Sequence, residues 1–573
     1  MSARNVLEIT EPRVLGLPES VCAAAAAYRA KTEAFLRGDL AAEAFRAEHV
    51  LMGIYEQRTP GLYMMRVRIG AGRVLPRQLR RIAALSKAYG NGIVHVTTRQ
   101  DLQIHGVAIE NTPQIVEALL FEGLSTRGSG GNTVRNVTAC PRSGICPNER
   151  FDVSPYAMAV AEFFLSRASS FTLPRKFKVA FSGCPNDCAL ASVADVGFFA
   201  ETRDGRDGFR VYAGGGLGAN PRGGIQIAEF VPAGDCIEVA EAVRRVFEKY
   251  GDRSNRNRAR LRYVLNRLGD DEFAIAIGQE AARIKTEGLK RPEIPVDNEP
   301  AANEPISPAG LAKNPFVLPE KRPGLYSIEL RLPLGDISAD DLVKLSHRAE
   351  AYGGGLVRTS QLQDLLITGV PAGEVPPALA SLKALSVDLT RPRGPKTVAC
   401  AGASTCRLGL CRSPDMAAAI AAAFEREAAP IVVRASRLHS PIRISGCPNS
   451  CAAHQIGWIG LEGRAQRVEG RLMPCYAVYC GGRPSSDGAR LGERLGVVPA
   501  KRVPELLAHV YREALTDPES LAAVVRAFEQ LPPQIPADWF MDFGSAEPFS
   551  AAGRSRHSGD VNEGAGIKDT GSA

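Results

Sequence analysis

Eight of the thirteen cysteines in the chain fall into two sets with one spacing, C-x5-C followed by C-x3-C. The first set is Cys140, Cys146, Cys184 and Cys188, and the second set is Cys400, Cys406, Cys447 and Cys451. In each set the later pair forms a Cys-Pro-Asn-x-Cys segment after an apolar stretch, which predicts a tight turn that brings two sulfurs together. Four thiolates can hold a zinc ion or an iron-sulfur cluster. Zinc sites usually show C-x2-C pairs, so the wider spacing favours iron-sulfur.

The elements that must position these cysteines also occur twice. Residues 61–107 align without a gap on residues 324–370, 263 positions later, and the cysteine pairs repeat at offsets of 260 and 263. Each copy predicts an alternating strand (Met64–Ile69 and Ser327–Leu332), a helix with apolar residues at helical spacing, an AYG stop and a second strand. The fold class is therefore predicted as α/β (α+β), with two halves related by a pseudo-twofold axis.

Four basic residues occur in the first half only: Arg99, Arg135, Lys176 and Lys178. The positions aligned with them are Leu362, Pro395, His439 and Pro441. A single Arg or Lys after a strand is usually a solvated surface residue. Four together offer forked donors for oxyanion oxygens and lysines that can pass protons when their pKa is lowered. The set predicts that the first half binds an anion.

Length and composition limit the class of protein. The chain has 573 residues, of which 45% are hydrophobic and 23% charged, an ordinary globular content with room for several domains. No apolar run of about 18 residues or leader segment is evident, so we expect no membrane association and a cytoplasmic location. The net charge of +8 suits an anionic substrate or an acidic partner protein, and the lack of a concentrated Lys/Arg run argues against nucleic acid.

Several motifs in order along the chain carry a family resemblance. They are TTRQDLQIHG (97–106), TVRNVTAC (133–140), LPRKFKVAFSG (173–183), ACAGASTC (399–406) and SGCPNSC (445–451). With these motifs the chain resembles the siroheme-dependent sulfite and nitrite reductases over most of its length, from Gly53 to Val525.

The resemblance implies a set of cofactors and a site for them. It implies a [4Fe-4S] cluster on Cys400, Cys406, Cys447 and Cys451, with the Cys451 thiolate also axial to the siroheme iron. It assigns Arg99, Arg135, Lys176 and Lys178 as catalytic, and Cys451, Asn449, Arg99 and Arg135 as cofactor-binding. The active site should therefore combine basic residues of the first half with cofactors held by the second.

The repeat and the resemblance together divide the chain into seven segments. These are an N-terminal helical extension (1–55), a ferredoxin-like half-domain (56–125), a siroheme/[4Fe-4S] domain (126–289), a linker (290–322), a second ferredoxin-like half-domain (323–390), a second siroheme/[4Fe-4S] domain (391–543) and a disordered tail (544–573). The linker is rich in Pro, Asn and Glu, and the tail lacks apolar periodicity.

The chain departs from the family pattern in the first half. As the resemblance goes, most assimilatory members keep cluster cysteines only in the second half, whereas here Cys140, Cys146, Cys184 and Cys188 are all present. One interpretation is a second [4Fe-4S] cluster that stores or relays electrons. The other is a group of thiols packed in the core.

The expected activity is the six-electron reduction of sulfite to sulfide, with reduction of nitrite to ammonium as the alternative. No flavin or nicotinamide domain is evident, so the expected electron donor is a ferredoxin or a separate flavoprotein. Two further readings are a precorrin-3B synthase of the same superfamily and a non-catalytic iron-sulfur electron carrier. The complete basic set argues against both.

Overall fold

The computed structural model describes residues 15–294, 314–386, 389, 395–426, 441–513 and 518–550. The chain begins in this range with two helices, α1 (Glu19–Arg37) and α2 (Ala42–Leu51). Tyr28 of α1 is buried and its hydroxyl lies 2.7 Å from Thr112 Oγ1. The two helices lie within the predicted N-terminal extension.

Each half contains a five-stranded antiparallel sheet that borrows one strand from the other half. The first sheet has the order β1 (Ile54–Glu56), β2 (Leu62–Val67), β5 (Leu102–Ala108), β4 (Ile93–Val96) and β13 (Asp336–Ser338). The second has the order β11 (Val317–Pro319), β12 (Leu325–Leu330), β15 (Leu365–Pro371), β14 (Val357–Thr359) and β3 (Arg73–Val74). Strand exchange covers one edge of each sheet, which would otherwise present unpaired backbone groups.

The helices of the two repeats pack into one shared core. They are α3 (Pro76–Tyr89), α4 (Thr112–Phe121), α9 (Ala339–Tyr352) and α10 (Val375–Leu382). Ile82 of α3 and Leu345 of α9 are fully buried in the same apolar cluster. Because burial of apolar surface is the main stabilising term, the two half-domains are held together as one unit.

A second pair of sheets carries the cysteines. The first is built from β6 (Thr138–Ala139), β7 (Val179–Ser182), β8 (Val196–Arg203), β9 (Arg206–Ala213) and β10 (Ile225–Pro232), and the second from β16 (Thr397–Ala399), β17 (Ile442–Ser445), β18 (Ile459–Val468), β19 (Arg471–Cys480) and β20 (Glu493–Pro499). In each sheet the first three strands run parallel and the last three are joined as antiparallel pairs.

Helices cover these sheets. The first sheet has α5 (Ser154–Ser166), α6 (Cys236–Tyr250), α7 (Leu261–Leu268) and α8 (Asp270–Glu287), and the second has α11 (Gly402–Thr405), α12 (Ser413–Glu425), α13 (Val503–Glu513) and α14 (Pro518–Glu529). The architecture confirms the predicted mixed fold with two pseudo-symmetric halves.

Two predicted irregular segments lie partly within the described residues. In the linker, strand β11 occupies residues 317–319, and residues 295–313 lie outside the described range. In the predicted disordered tail, residues 544–550 are ordered, because the Phe549 backbone N–H donates to the Phe540 carbonyl and the Phe549 side chain packs on the second-half core. Disorder was therefore the wrong prediction for that stretch, and residues 551–573 lie outside the described range.

Candidate active site

Strand topology explains why each cysteine set comes together. Cys140 directly follows β6 and Cys184 comes two residues after β7, and the same relation places Cys400 after β16 and Cys447 after β17. Since the two strands of each pair run parallel, their carboxyl ends lie at the same edge of the sheet. Loops that leave a common edge bring distant sequence positions together.

The later cysteine pair of each set lies on a turn with left-handed backbone. Asp187 and Leu190 in the first half have φ of 48° and 58°, and the aligned Ser450 and Ala453 have φ of 54° and 60°. Such values are uncommon for residues other than glycine. The two turns therefore share one specific conformation rather than a general likeness.

Three thiols of the second set are less exposed than the fourth and lie close to it. Burial, and after it the neighbouring Cys451, raises the pKa of Cys400 to about 11. Burial and then Cys451 also raise the pKa of Cys406 and of Cys447. Cys451 itself is exposed. Binding to metal would offset the cost of ionising these thiols, since a coordinating thiol is deprotonated outright.

Backbone N–H groups point at the buried sulfurs. The Gly446 N–H donates to Cys400 Sγ at 3.2 Å, and further N–H groups donate to the sulfurs of Cys406 and Cys447. Hydrogen bonds to sulfur are among the factors that set the potential of an iron-sulfur cluster. Within the described residues, no three His, Cys, Asp or Glu side chains are placed to hold a single metal ion. The spacing of these cysteines, wider than the C-x2-C pairs usual at zinc sites, favours a cluster over one zinc ion.

The four basic residues predicted from the sequence are brought together near Cys451. Burial, with the nearby Arg260 and Arg135, lowers the pKa of Lys176 to about 7 against the opposing effect of Cys451. Burial also holds the pKa of Lys178 well below its usual range, with Arg99 and Lys176 adding to the effect. The mutual influence of these groups shows that they share one small region, and that Cys451 of the second half faces it.

The two arginines of the set are held by backbone carbonyls. Arg135 donates from Nη1 to the Ser129 carbonyl at 2.9 Å and from Nη2 to the Gly131 carbonyl at 2.8 Å. Arg99 donates to the carbonyl of Asn136. Burial lowers the pKa of Arg99 to about 10, so its guanidinium remains charged at neutral pH. Both groups are therefore fixed cations.

The structure adds residues that the sequence reasoning missed. Arg260 Nη2 lies 2.9 Å and 3.1 Å from the two carboxylate oxygens of fully buried Asp195, and the same carboxylate accepts the Lys178 backbone N–H at 2.9 Å. Asp195 thus positions the Arg260 guanidinium and the backbone of Lys178. The signal for Arg260 was the run of alternating arginines between Arg256 and Arg262. Asp195, at the start of a strand, gave no comparable signal.

Tyr55 is another unpredicted member of the site. Its hydroxyl accepts the Gly131 N–H at 2.9 Å. Burial raises the pKa of Tyr55, but Arg135 and Arg66 outweigh this effect and leave it below the usual value. A phenol with a lowered pKa is a hydrogen-bond donor suited to an anionic partner.

Both halves contact each other directly at this place. Thr98 Oγ1, in the loop that carries Arg99, donates to the Cys451 carbonyl at 3.0 Å. The Arg58 backbone N–H donates to the Thr405 carbonyl at 2.8 Å, and Arg58 Nη2 donates to the Gly409 carbonyl at 2.9 Å. These hydrogen bonds hold the segment from Cys400 to Gly409 against the first half, and we call such a contact between the halves a clamp.

The remaining predicted residues are placed as follows. Asn449 is exposed on the turn between Cys447 and Cys451, and its N–H donates to the Cys447 sulfur. The aligned positions Leu362, Pro395 and Pro441 carry no charge, and His439 lies outside the described residues.

The side chains present fit an anionic, carboxylate-bearing macrocycle beside a cluster. The Nε atoms of Arg99, Arg135, Arg260 and Arg262 are buried and have no hydrogen-bond partner within the described residues. A buried donor without a partner costs about 1–3 kcal/mol, so carboxylates at this place would be stabilising. Cys451 offers an exposed thiol next to the buried Cys447 and the partly buried Cys400 and Cys406.

Comparison with known proteins agrees with this site. The family model described as "Nitrite and sulphite reductase 4Fe-4S domain" matches residues 130–285. The model described as "Nitrite/Sulfite reductase ferredoxin-like half domain" matches residues 55–121 and 319–385. The first of these ranges contains the first cysteine set.

Similar full-length proteins point the same way. The chain is 31% identical to a ferredoxin-nitrite reductase of Synechococcus elongatus over 79% of this chain and 86% of that protein. It is 30% identical to an assimilatory ferredoxin-dependent nitrite reductase of Haloferax mediterranei over 80% of each chain. The solved structure of the Mycobacterium tuberculosis NirA protein superposes with a TM-score of 0.73 at 25% identity, over 88% of this chain and 96% of that one.

The chain belongs to the family of nitrite and sulfite reductases and is an oxidoreductase. This confirms the resemblance drawn from the sequence motifs. Membership implies a siroheme and a [4Fe-4S] cluster as cofactors. No helix in the described part of the chain is both long enough and apolar enough to cross a membrane.

Proposed function

We propose that the protein reduces nitrite to ammonium with electrons from a ferredoxin. One observation carries the proposal: Arg99, Arg135, Lys176 and Lys178 of the first half share a region with the exposed Cys451 of the second half. The relatives in Synechococcus elongatus and Haloferax mediterranei are named for nitrite and for ferredoxin, which favours nitrite over sulfite as the first substrate.

In this proposal four cysteines of the second half hold the cluster. They are Cys400, Cys406, Cys447 and Cys451, and Cys451 and Asn449 would also help to hold the siroheme. Unpaired N–H groups of Arg99, Arg135, Arg260 and Arg262 would bind siroheme carboxylates. When bound, these cofactors would transfer electrons from the donor to the substrate, which protein side chains cannot do.

The basic residues bind and orient the anion. Arg99 and Arg135 are fixed by backbone carbonyls and remain charged, so they stabilise negative charge without having to reorganise. Two half-buried lysines beside them add positive charge, and Asp101 and Asp195 oppose part of the total. Desolvated cations attract an oxyanion more strongly than cations in water do.

The lysines also suit the proton demand of the reaction. Conversion of nitrite to ammonium takes six electrons and eight protons and releases two water molecules. Burial brings the pKa of Lys176 to about 7, where it can both give and take up a proton near neutral pH. Tyr55, whose pKa lies below its usual value, is a second donor at the same place.

Sulfite is a second candidate, and one observation favours it. The region holds more positive charge than its carboxylates neutralise, and near neutral pH sulfite carries up to two negative charges whereas nitrite carries one. A dianion would gain more from this surplus charge.

Turnover with both anions tests the proposal. We expect siroheme absorption bands in the purified protein, and a higher kcat/KM for nitrite than for sulfite with one reduced dye as donor. A higher kcat/KM for sulfite would make sulfite reduction the favoured function and contradict the preference for nitrite. Cluster absorption without siroheme bands after reconstitution would favour a non-catalytic electron carrier and contradict the proposal.

The donor is tested in the same assay. With reduced ferredoxin, turnover should fall as ionic strength rises, because electrostatic docking to a chain of net charge +8 is screened by salt. Dye-driven turnover is the control and should change less. Turnover supported by a flavoprotein but not by ferredoxin would contradict this part of the proposal.

A further inference from the structure

The first cysteine set has no role in the proposed reaction, yet its thiols converge. Cys184 lies close enough to Cys140, Cys146 and Cys188 for each of them to shift its pKa. Cys140, Cys146 and Cys184 are buried, and Cys188 is exposed, as Cys451 is in the second set. All four are free thiols. Four sulfurs from two separate loops therefore meet at one place.

Backbone donors address these sulfurs in the same pattern as in the second set. The N–H of Arg142 donates to the Cys140 sulfur, and those of Asn148 and Glu149 donate to the Cys146 sulfur. The aligned N–H groups of Gly402, Leu408 and Gly409 donate to the sulfurs of Cys400 and Cys406. The aligned sulfurs of the two sets therefore have the same backbone donors.

The loop between Cys140 and Cys146 is clamped by the opposite half, as its counterpart is. The Lys321 backbone N–H donates to the Ile145 carbonyl at 2.8 Å, and Lys321 Nζ lies 2.9 Å from Glu149 Oε1. Lys321 aligns with Arg58, Ile145 with Thr405 and Glu149 with Gly409. The clamp is thus kept with different side chains.

The turn that carries Cys184 and Cys188 is held by buried hydrogen bonds. Asp187 is fully buried, and its carboxylate accepts from Ser182 Oγ, from the Ala191 N–H and from both the N–H and Oγ of Ser192, at 2.6–3.0 Å. A buried carboxylate with this many donors fixes the turn rigidly. The two sulfurs are therefore held in place before any metal binds.

We propose that Cys140, Cys146, Cys184 and Cys188 bind a second [4Fe-4S] cluster. The C-x5-C and C-x3-C spacing is the same as in the second set and differs from the C-x2-C pairs usual at zinc sites, so it favours a cluster over zinc. The positions aligned with Arg99, Arg135 and Lys178 are Leu362, Pro395 and Pro441, so this cluster would not face an oxyanion site. Its chemistry would be one-electron exchange.

Counting iron and acid-labile sulfide in the complete protein tests the proposal. After anaerobic purification and reconstitution, we expect about eight sulfides per chain, because each [4Fe-4S] cluster holds about four. Dithionite-reduced protein should give electron paramagnetic resonance signals from two clusters. A count of about four sulfides, stoichiometric zinc, or a disulfide within the set would overturn the proposal, and this count decides even if a variant fails to fold.

Matched variants locate the second cluster. Cys146→Ser should lose about half of the sulfide and keep the siroheme bands, whereas Cys406→Ser, at the aligned position, should lose the other half and disturb the siroheme bands. Unchanged sulfide in Cys146→Ser would overturn the assignment. The outcome does not depend on the substrate, since failure of the proposed function would appear as absent turnover in protein with the expected sulfide count.

Discussion

The two cysteine loops of this protein have one backbone design and opposite electrostatic surroundings. Both follow the carboxyl ends of parallel strands, and the opposite half clamps each of them through a backbone hydrogen bond of 2.8 Å. Around Cys451 lie Arg99, Arg135, Lys176 and Lys178, with few carboxylates to balance them. The comparison teaches that one backbone arrangement of four cysteines occurs twice, while this group of cations lies beside the second copy.

Charges near the first set are largely neutralised, and so is the cation beside Pro395, one of the uncharged positions aligned with the basic site. Arg358 is buried among Asp152, Glu320 and Glu149, and lies close enough to Cys140 to interact with it. In the second half, the Lys396 ammonium lies 2.6 Å from Asp364 Oδ1. Paired charges attract a third ion weakly, because their fields cancel within a short distance.

The largest expected effect comes from removing one cation on the charged side of the comparison. Lys176→Met keeps the length of the side chain and removes its charge and donors. We expect kcat/KM for nitrite to fall by about 10²–10³, the usual loss when one donor to a developing anion is deleted. The reciprocal change Leu362→Lys, at a position aligned with the basic set, is the control and should leave turnover within about twofold of the parent. Equal losses of kcat/KM in both variants would contradict the difference in charge between the two halves.

A smaller effect is expected from pH. Burial lowers the pKa of Lys176 to about 7, so the lysine is charged below that pH and neutral above it. Anion binding needs the charged form, so KM for nitrite should rise as pH increases through about 7, by up to about tenfold per unit. Nitrite is the cleaner probe, because sulfite itself titrates near neutral pH. Lys176→Arg should flatten the profile, and a variant that keeps the parent dependence would assign it to another group.

The smallest effect is expected from the two clamps. Arg58→Ala removes a charged hydrogen bond to the Gly409 carbonyl and should lower the free energy of unfolding by about 1.5–3 kcal/mol. Lys321→Ala removes a partly exposed ion pair, worth about 1 kcal/mol or less. Burial has already raised the pKa of Glu149 to about 7, so this carboxyl can take up a proton when its partner is lost. Denaturant unfolding measures the free energy of unfolding of both variants. A larger loss for Lys321→Ala would show that the clamp at the first cysteine set is the stronger one.

Sequence reasoning reached the fold and the four basic residues because both leave local or repeated patterns. The repeat exposed Arg99 and Lys176 as residues present in one copy only. It missed Asp195 and Tyr55, whose importance depends on contacts with distant residues. It also missed the exchanged strands β3 and β13, because strands of two or three residues are too short to show a period.

The sequence by itself determined that the chain has two four-cysteine sets on duplicated halves, and that one half alone carries the basic set. Spacing and repetition are properties of the chain, so they can be read without coordinates. Only the tertiary structure decided that Lys176 faces Cys451 and that each half clamps the cysteine loop of the other. The physical reason is that these contacts depend on how the shared core and the exchanged strands orient one half against the other, and no local pattern encodes that orientation.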